Sequence, residues 1–468
     1  MGVMDRAVEW GARQLAKRVP MSSSNPWLEG RFAPVQQERT QSDLKVTGRL
    51  PVELDGLYAR IGPNSMKVSN PGAYHWFVGD GMVHGVRLRD GKALWYRNRW
   101  VGTDAVQARL GRPSLPGTRR GLVDVVNTNV IGHAGRIWAL VESGPLPIEL
   151  DPELTSLRRG LFDGAVSTAF SAHPHRDPET GALHAICYDA LAPLRVRHVE
   201  IDAGGGVSRV ESIPVKHGPM IHDCAITRTQ VVILDLPITF SVAEMLRGYP
   251  LPYRWNPRHA ARVGLLPKAG RADQVRWFEV DPCYVFHPCN AFDLPDGGAV
   301  VDVVVHPRTF DDSHLGPDVG DIRFERWTLD VATMRVQRRV LGDGRQEFPR
   351  CDERRTGREY RYAYVAGFDP FGGAQPLLRY DLQTGDIARH GFGPDRVPGE
   401  FVFVPRSPTA DENDGWLMGL VHGVGGEVTE LVVLDAKDFD GEPVATVHLP
   451  APVPMGFHGN WIPGAGAA

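Results

Sequence analysis

The sequence has no surplus of basic residues. Its 52 Lys and Arg stand against 56 Asp and Glu, a formal net charge of -4. That balance leaves no electrostatic footprint for nucleic acid, which is not expected among its partners. Cysteine is scarce, with five in 468 residues, at positions 187, 224, 283, 289 and 351, and no CxxC pair. An odd, scattered set argues against a disulfide framework and for a reducing compartment. No stretch approaches the roughly 18 consecutive apolar residues that a membrane-spanning helix needs. The start, MGVMDRAVEWGARQLAKRVP, mixes charges with apolar residues and lacks the continuous apolar core of a signal peptide. The expectation is a cytoplasmic protein with, at most, peripheral contact with the inner face of the membrane.

Helical signals are also few. Residues 3–18 form one candidate amphipathic helix, with Val8, Leu15 and Val19 near one face, inside an N-terminal segment 1–25. Residues 241–248 (SVAEMLRG) form another. The remainder, 26–468, reads as a single all-β domain of short alternating strands broken by Gly, Pro, Asp and Asn. A loose unit recurs in it: an apolar strand, an aspartate at a turn, then a second strand. The turn aspartates are Asp90, Asp151, Asp202, Asp281, Asp330, Asp381 and Asp435. Seven copies, mostly about 50–60 residues apart, suit blades of four strands and predict a seven-bladed β-propeller. A pair of β-sandwiches with ordinary Asp-containing hairpins is the alternative.

The residues that follow these turns carry the chemistry. His173 comes 22 residues after Asp151, His222 comes 20 after Asp202, and His458 comes 23 after Asp435. Glu347 and Glu400 follow Asp330 and Asp381 by 17 and 19. His287 follows Asp281 sooner, also directly after a strand. In a propeller, the segment after an outer hairpin crosses to the innermost strand of the next blade. These residues are therefore predicted to converge on one axis. Several histidines without cysteine make a metal site, and imidazole suits Zn, Cu, Fe and Ni. A ligating histidine usually gives its other ring N–H to a carboxylate, which fixes its tautomer. Glu347 and Glu400 occupy positions suited to that support, and Glu142, after the hairpin NTNVIGHAGRIWALVE, is a third candidate. Asp223 follows His222 directly, so on a strand it points to the opposite face and is left out of the ligand set. Single histidines are more often satisfied polar residues than ligands, and His75, His84, His175, His184, His217 and His422 are read that way.

At these residues the sequence resembles the carotenoid cleavage oxygenase family, and the likeness runs along nearly the whole chain. LDGLYARIGPN (54–64) and YHWFVGDGMVHG (74–85) look like its opening signatures, with Ile61 where Asn is common. SAHPHRDPETG (171–181), IHDCAIT (221–227), FHPCNAFD (286–293) and GFHGNW (456–461) resemble the segments bearing its four iron-binding histidines. ALVES (139–143), EFPR (347–350) and GEFVFVP (399–405) resemble those bearing the supporting glutamates. The resemblance implies a seven-bladed propeller under a dome of loops and short helices. It implies one Fe2+ held by His173, His222, His287 and His458, with Glu142, Glu347 and Glu400 behind them. It also implies cleavage of an alkene by O2 into two carbonyl products. Thr128 matches a position the family places beside the iron, and a role in limiting the open coordination sites is implied for it.

Two substrate classes remain. Family members that cleave stilbenes (lignostilbene or resveratrol type) place a Lys just before the first supporting glutamate and a Tyr nearby, to engage a phenol. Here Val141 precedes Glu142, and RNRWVGT (97–103) offers Trp100 where the Tyr is sought. A valine cannot polarise a phenol, so an apolar polyene, a carotenoid or apocarotenoid, is the expected substrate. Such a substrate lives in membrane, and residues 236–252 (LPITFSVAEMLRGYPLP), ahead of the N-terminal segment, are the candidate contacts, with plain packing of a helix on the propeller as the alternative. A non-catalytic binding propeller gives no reason for four convergent histidines. A metal hydrolase usually has a ligating carboxylate or Cys and a general base.

Overall fold

A computed structural model describes residues 11, 14–121, 123–164, 168–318 and 320–464. The chain is all-β with few helices, and its sheets are arranged like the blades of a propeller. Five sheets of four or five strands stand apart as blades. An eight-stranded sheet joins two four-stranded arms through one parallel bridge, Glu279 to Arg335. A two-stranded ribbon, Ile238–Phe240 with Tyr253–Trp255, completes the set.

Burial along the strands explains their composition. Ala299–His306 reads AVVDVVVH and is buried throughout, because neighbouring strands and sheets cover both of its faces. Val207–Pro214 reads VSRVESIP and alternates between half-buried and exposed positions, as an edge strand with one wet face does. Strands from the early and late parts of the described chain pair with each other. Gly459–Pro463 pairs antiparallel with Gly56–Pro63, placing Trp461 opposite Tyr58. Val46–Gly48 pairs with Ala445–His448. Such closure removes unpaired backbone that would otherwise recruit another chain.

The recurrent aspartates have a common local job. Asp151, Asp202, Asp330, Asp381 and Asp435 each accept the backbone N–H two residues on, tightening the turn between two antiparallel strands. Asp90 turns the hairpin between Gly81–Arg89 and Lys92–Trp100 with φ 51°. Asp281 is the exception. It follows the outer strand Arg276–Glu279 and leads straight into Tyr284–Asp293. That is why His287 comes so soon after it.

Beyond the N-terminal segment, two short α-helices are found among the described residues: α1, Asp104–Arg109, and α2, Val242–Arg247. α2 lies inside the predicted 241–248 segment. Ser241 caps it by accepting the Glu244 N–H, and Gly248 ends it at φ 94°. α1 is capped in the same way by Thr103 and was not anticipated, because six residues hold too little periodicity to read. Of the helix predicted over 3–18, residues 14–16 are helical, while 1–10, 12 and 13 lie outside the described residues. No helix among the described residues is long and apolar enough to cross a membrane.

Candidate metal centre

The residues expected at the axis sit at or just before strands that begin on it, and β-bulges aim three of them. The ladder slips between Val285 and Pro288, around His287. It slips again between Glu347 and Arg350, and between Pro398 and Phe401, around Glu400. A bulge breaks the strict two-residue alternation and turns a side chain that the pleat would send elsewhere. Phe348 adopts φ 56°, rare for a bulky residue, and its N–H donates to Glu347 Oε2 at 2.7 Å.

His173, His222, His287 and His458 converge, with one ligand atom from each lying within 4.8 Å of the others. All four are buried. Three are pinned from behind. His222 Nδ1 lies 2.8 Å from Glu142 Oε1, His287 Nδ1 2.6 Å from Glu347 Oε2, and His458 Nδ1 3.1 Å from Glu400 Oε1. A neutral imidazole that donates Nδ1–H to a carboxylate presents a lone pair at Nε2. The Nε2 atoms of His222 and His287 face each other at 3.3 Å. With both rings in that tautomer, two lone pairs at that distance repel unless a metal ion or a shared proton lies between them. A divalent metal about 2.1 Å from each nitrogen separates neighbouring imidazole donors by about 3.0 Å. His173 Nε2 is buried without a protein partner. The donor set, its spacing and its tautomers therefore fit a metal ion.

The carboxylates are themselves held. Glu347 also accepts His306 Nε2–H at 2.8 Å. Glu400 accepts Arg350 Nη1–H at 3.1 Å and the Gly459 N–H at 2.9 Å. Asn460 accepts the other arm of Arg350 at 2.8 Å. Asp223, as expected, is off the ligand ring. It instead accepts His175 Nε2–H at 2.9 Å and stands 3.9 Å from His173 Nδ1. Thr128 lies beside the ring, where its carbonyl accepts the His458 N–H at 3.2 Å and its hydroxyl donates to Asn127.

The Retinal pigment epithelial membrane protein family model, RPE65, matches residues 32–463 of this chain. A carotenoid cleavage oxygenase of Mycobacterium tuberculosis is 43% identical, with 94% of this chain and 98% of that protein covered. The chain belongs to the carotenoid cleavage oxygenase family. Among solved structures, a lignostilbene dioxygenase of Pseudomonas brassicacearum superposes with a TM-score of 0.84 at 31% identity, covering 95% of this chain and all of that one. A mutant apocarotenoid oxygenase of Synechocystis gives 0.82 at 25% identity, with 95% and 100% covered. The family is one of oxygenases, and its members bring the metal-centre geometry above into an enzyme context.

A cavity of about 710 Å³ opens onto one face of the ring, meeting His222, His287 and His458. Its walls are apolar, with Phe77, Phe286 and Phe457 around the histidines and Met245 and Leu251 further out. Val141 and Thr128 line it, whereas Trp100 does not. Trp100 is buried elsewhere and spends its indole N–H on the Asn64 carbonyl at 3.0 Å. The expectation that it occupies the Tyr position of the stilbene-cleaving members is thus misplaced. The cavity's tyrosines are Tyr188, Tyr249 and Tyr253.

His306 and Arg350 are the residues that sequence reasoning passed over. Arg350 was within reach, since it closes the EFPR motif three residues after Glu347. His306 ends a valine run, and only its pairing opposite Tyr284 reveals that it faces the same carboxylate as His287.

The glutamates make the metal-free protein acid-sensitive. Burial pushes the Glu400 carboxyl up, but Arg350, His458 and the Gly459 N–H outweigh it and hold it at about 2, against an ordinary 4.5. Burial likewise opposes ionisation of Glu347, but His287 and His306 hold it well below the usual carboxylate range. A folded value depressed in this way stabilises the protein above the unfolded value, and that stability is lost as pH falls through the folded one. Urea midpoints of the wild type and Glu400→Gln are expected to differ most near neutrality and to converge between pH 4.5 and about 2. A gap that stays constant across that range would contradict the assignment.

Proposed function

We propose that this protein is an Fe(II)-dependent dioxygenase that cleaves a carbon–carbon double bond of a carotenoid or apocarotenoid with O2, giving two aldehyde or ketone products. The observation that carries the reading is the pair of facing Nε2 atoms of His222 and His287, 3.3 Å apart with both Nδ1 atoms on carboxylates. His173, His222, His287 and His458 hold one Fe2+. Glu142, Glu347 and Glu400 accept three of the Nδ1–H groups, which fixes ring orientation and supplies the negative charge that four neutral ligands lack. Bound iron supplies activation of dioxygen beside the alkene. Phe77, Phe286 and Phe457 position an extended apolar chain against the ring and keep water from it. Thr128, beside His458 at the cavity wall, narrows the space open next to the metal.

We also read residues 26–468 as one propeller of seven blades, counting the eight-stranded sheet as two. Supporting that count, Thr128, His173, His222, His287, Glu347, Glu400 and His458 each lie at or just before a different strand of the set. α1, α2 and the loops around the apolar cavity form the dome, to which the described part of the N-terminal segment adds Leu15 and Ala16 at the cavity wall. The cavity extends to α2, whose Val242 and Leu246 are exposed. This fits a mouth resting on a membrane surface from which an apolar substrate enters.

The likeness to lignostilbene dioxygenase supports stilbene cleavage as the second reading. Val141 at the cavity wall, one residue before Glu142, weighs against it. A paired assay separates the two. Protein loaded with Fe(II) is given an apocarotenal or resveratrol, in air and under argon, and products are identified by mass. Two carbonyl fragments from the apocarotenal, formed only in air, are expected. Cleavage of resveratrol alone would overturn the polyene assignment.

A further inference from the structure

A second cavity, of about 720 Å³, reaches the ring from another side. It meets His173, His287 and His458, where the apolar cavity meets His222, His287 and His458. Its lining differs in kind. Asp223, His175, Glu353, Asn129 and Asn460 present oxygen and nitrogen atoms along it. Glu353 at its outer end is exposed, so the cavity communicates with water.

We propose that this polar cavity is the route by which a hydrated divalent cation reaches the ring, with Asp223 and His175 as the last binding station before His173. The inference rests on the reading of the ring as a metal centre. A hydrated dication entering the apolar cavity must give up water with nothing in exchange, at heavy cost. In the polar cavity each lost water can be replaced by a protein donor. The arginines along it are already engaged. Arg350 pairs with Glu400 and Glu353, Arg354 with Asp352, and Arg136 with Asp163, while Arg176 donates to backbone carbonyls.

Three features place the station. His175, Asp223 and Cys224 bring three ligand atoms within 4.8 Å of one another, a cluster separate from the ring. His175 and Asp223 line the polar cavity. His173 also lines it, and its Nε2 is buried without a partner. His173 is moreover the one ring histidine whose Nδ1 has no carboxylate at hydrogen-bond distance, since Asp223 stands 3.9 Å away. An ion leaving Asp223 can therefore pass to His173 without breaking a carboxylate hydrogen bond, as it would have to at the other three rings.

The test is the rate of metal uptake, read without turnover. Full-length protein stripped by a chelator is mixed anaerobically with Co2+, and the ligand-field absorption is followed to its end point. Asp223→Asn and His175→Gln weaken the station, and Ile131→Trp obstructs the polar cavity without touching the ring's hydrogen bonds. Val141→Trp obstructs the apolar cavity. Removing one charge-assisted contact from the barrier predicts uptake slowed by about tenfold or more in Asp223→Asn and His175→Gln, obstruction predicts at least as large a slowing in Ile131→Trp, and the parent's end point is unchanged in all three. Val141→Trp is expected to load at the parent rate. Unfolding curves of the metal-free variants identify any that fail to fold, and because I131W and D223N perturb the fold in different ways, one remains informative if the other is lost. Slowing by Val141→Trp alone, or equal rates in all variants, overturns the route while leaving the metal centre intact. A parent that takes up no Co2+ overturns both.

Discussion

Replacing His287 with alanine is expected to leave a folded protein that retains no metal and whose alkene-cleaving turnover falls by at least about a thousandfold. The size of the effect follows from the donor set. Four neutral imidazoles are a minimal complement, and among the described residues no carboxylate joins them in the ligand group to take the vacated position. His287 also holds one side of the closest nitrogen pair, 3.3 Å from His222. Folding survives because Glu347 keeps His306 Nε2–H and the Phe348 N–H, so its buried charge is not stranded. Glu347→Gln is the graded companion. It exchanges an ionic acceptor for a neutral one, and a loss of metal affinity of about 10–100-fold is expected. Metal content by elemental analysis, beside product yield, checks both. A His287→Ala protein that keeps its metal and turns over within tenfold of the parent would sink the four-histidine centre.

Arg350→Leu is expected to be the most destabilising single change near the centre, at about 3–5 kcal/mol. Glu400 is buried, and among the described residues Arg350 is the only cation that both touches it and carries a permanent charge. Removing it leaves a carboxylate with one imidazole and one backbone N–H. It also releases Asn460, whose amide donates to Asn129 and to the Val130 carbonyl and so ties two neighbouring strands together. Urea unfolding measures the loss. Adding Glu400→Gln to the Arg350→Leu protein should recover much of it, because the stranded charge is then gone. Such a pair in direct contact is expected to be strongly non-additive. Additive effects would show that the ion pair is incidental.

Much of this site was legible in the chain because its logic is local. Three of the four ring histidines follow a strand-ending turn at a near-constant spacing, and the turn aspartates announce themselves by accepting the N–H two residues on. Asp281 broke the register because it follows the outer strand Arg276–Glu279 rather than turning a hairpin, and the pattern survived only because a histidine follows it closely. Trp100 shows the opposite case. Its sequence neighbourhood suggested the cavity, but strand register turned its indole to the Asn64 carbonyl. A single-residue shift in register reverses which face a side chain takes.

The sequence by itself determined the class of fold and brought out the four histidines and three glutamates as candidates, because strand periodicity, turn chemistry and residue type are carried by neighbouring positions, while the weight placed on Val141 came from the family resemblance alone. Only the tertiary structure decided how those groups meet. It paired each glutamate with its histidine across 58 to 80 residues of chain. It set the bulges that aim His287, Glu347 and Glu400. It recruited His306 and Arg350, and it separated an apolar cavity from a polar one at a common ring. These are contacts between residues distant in the chain, fixed by how sheets stack about an axis. No local pattern encodes that stacking.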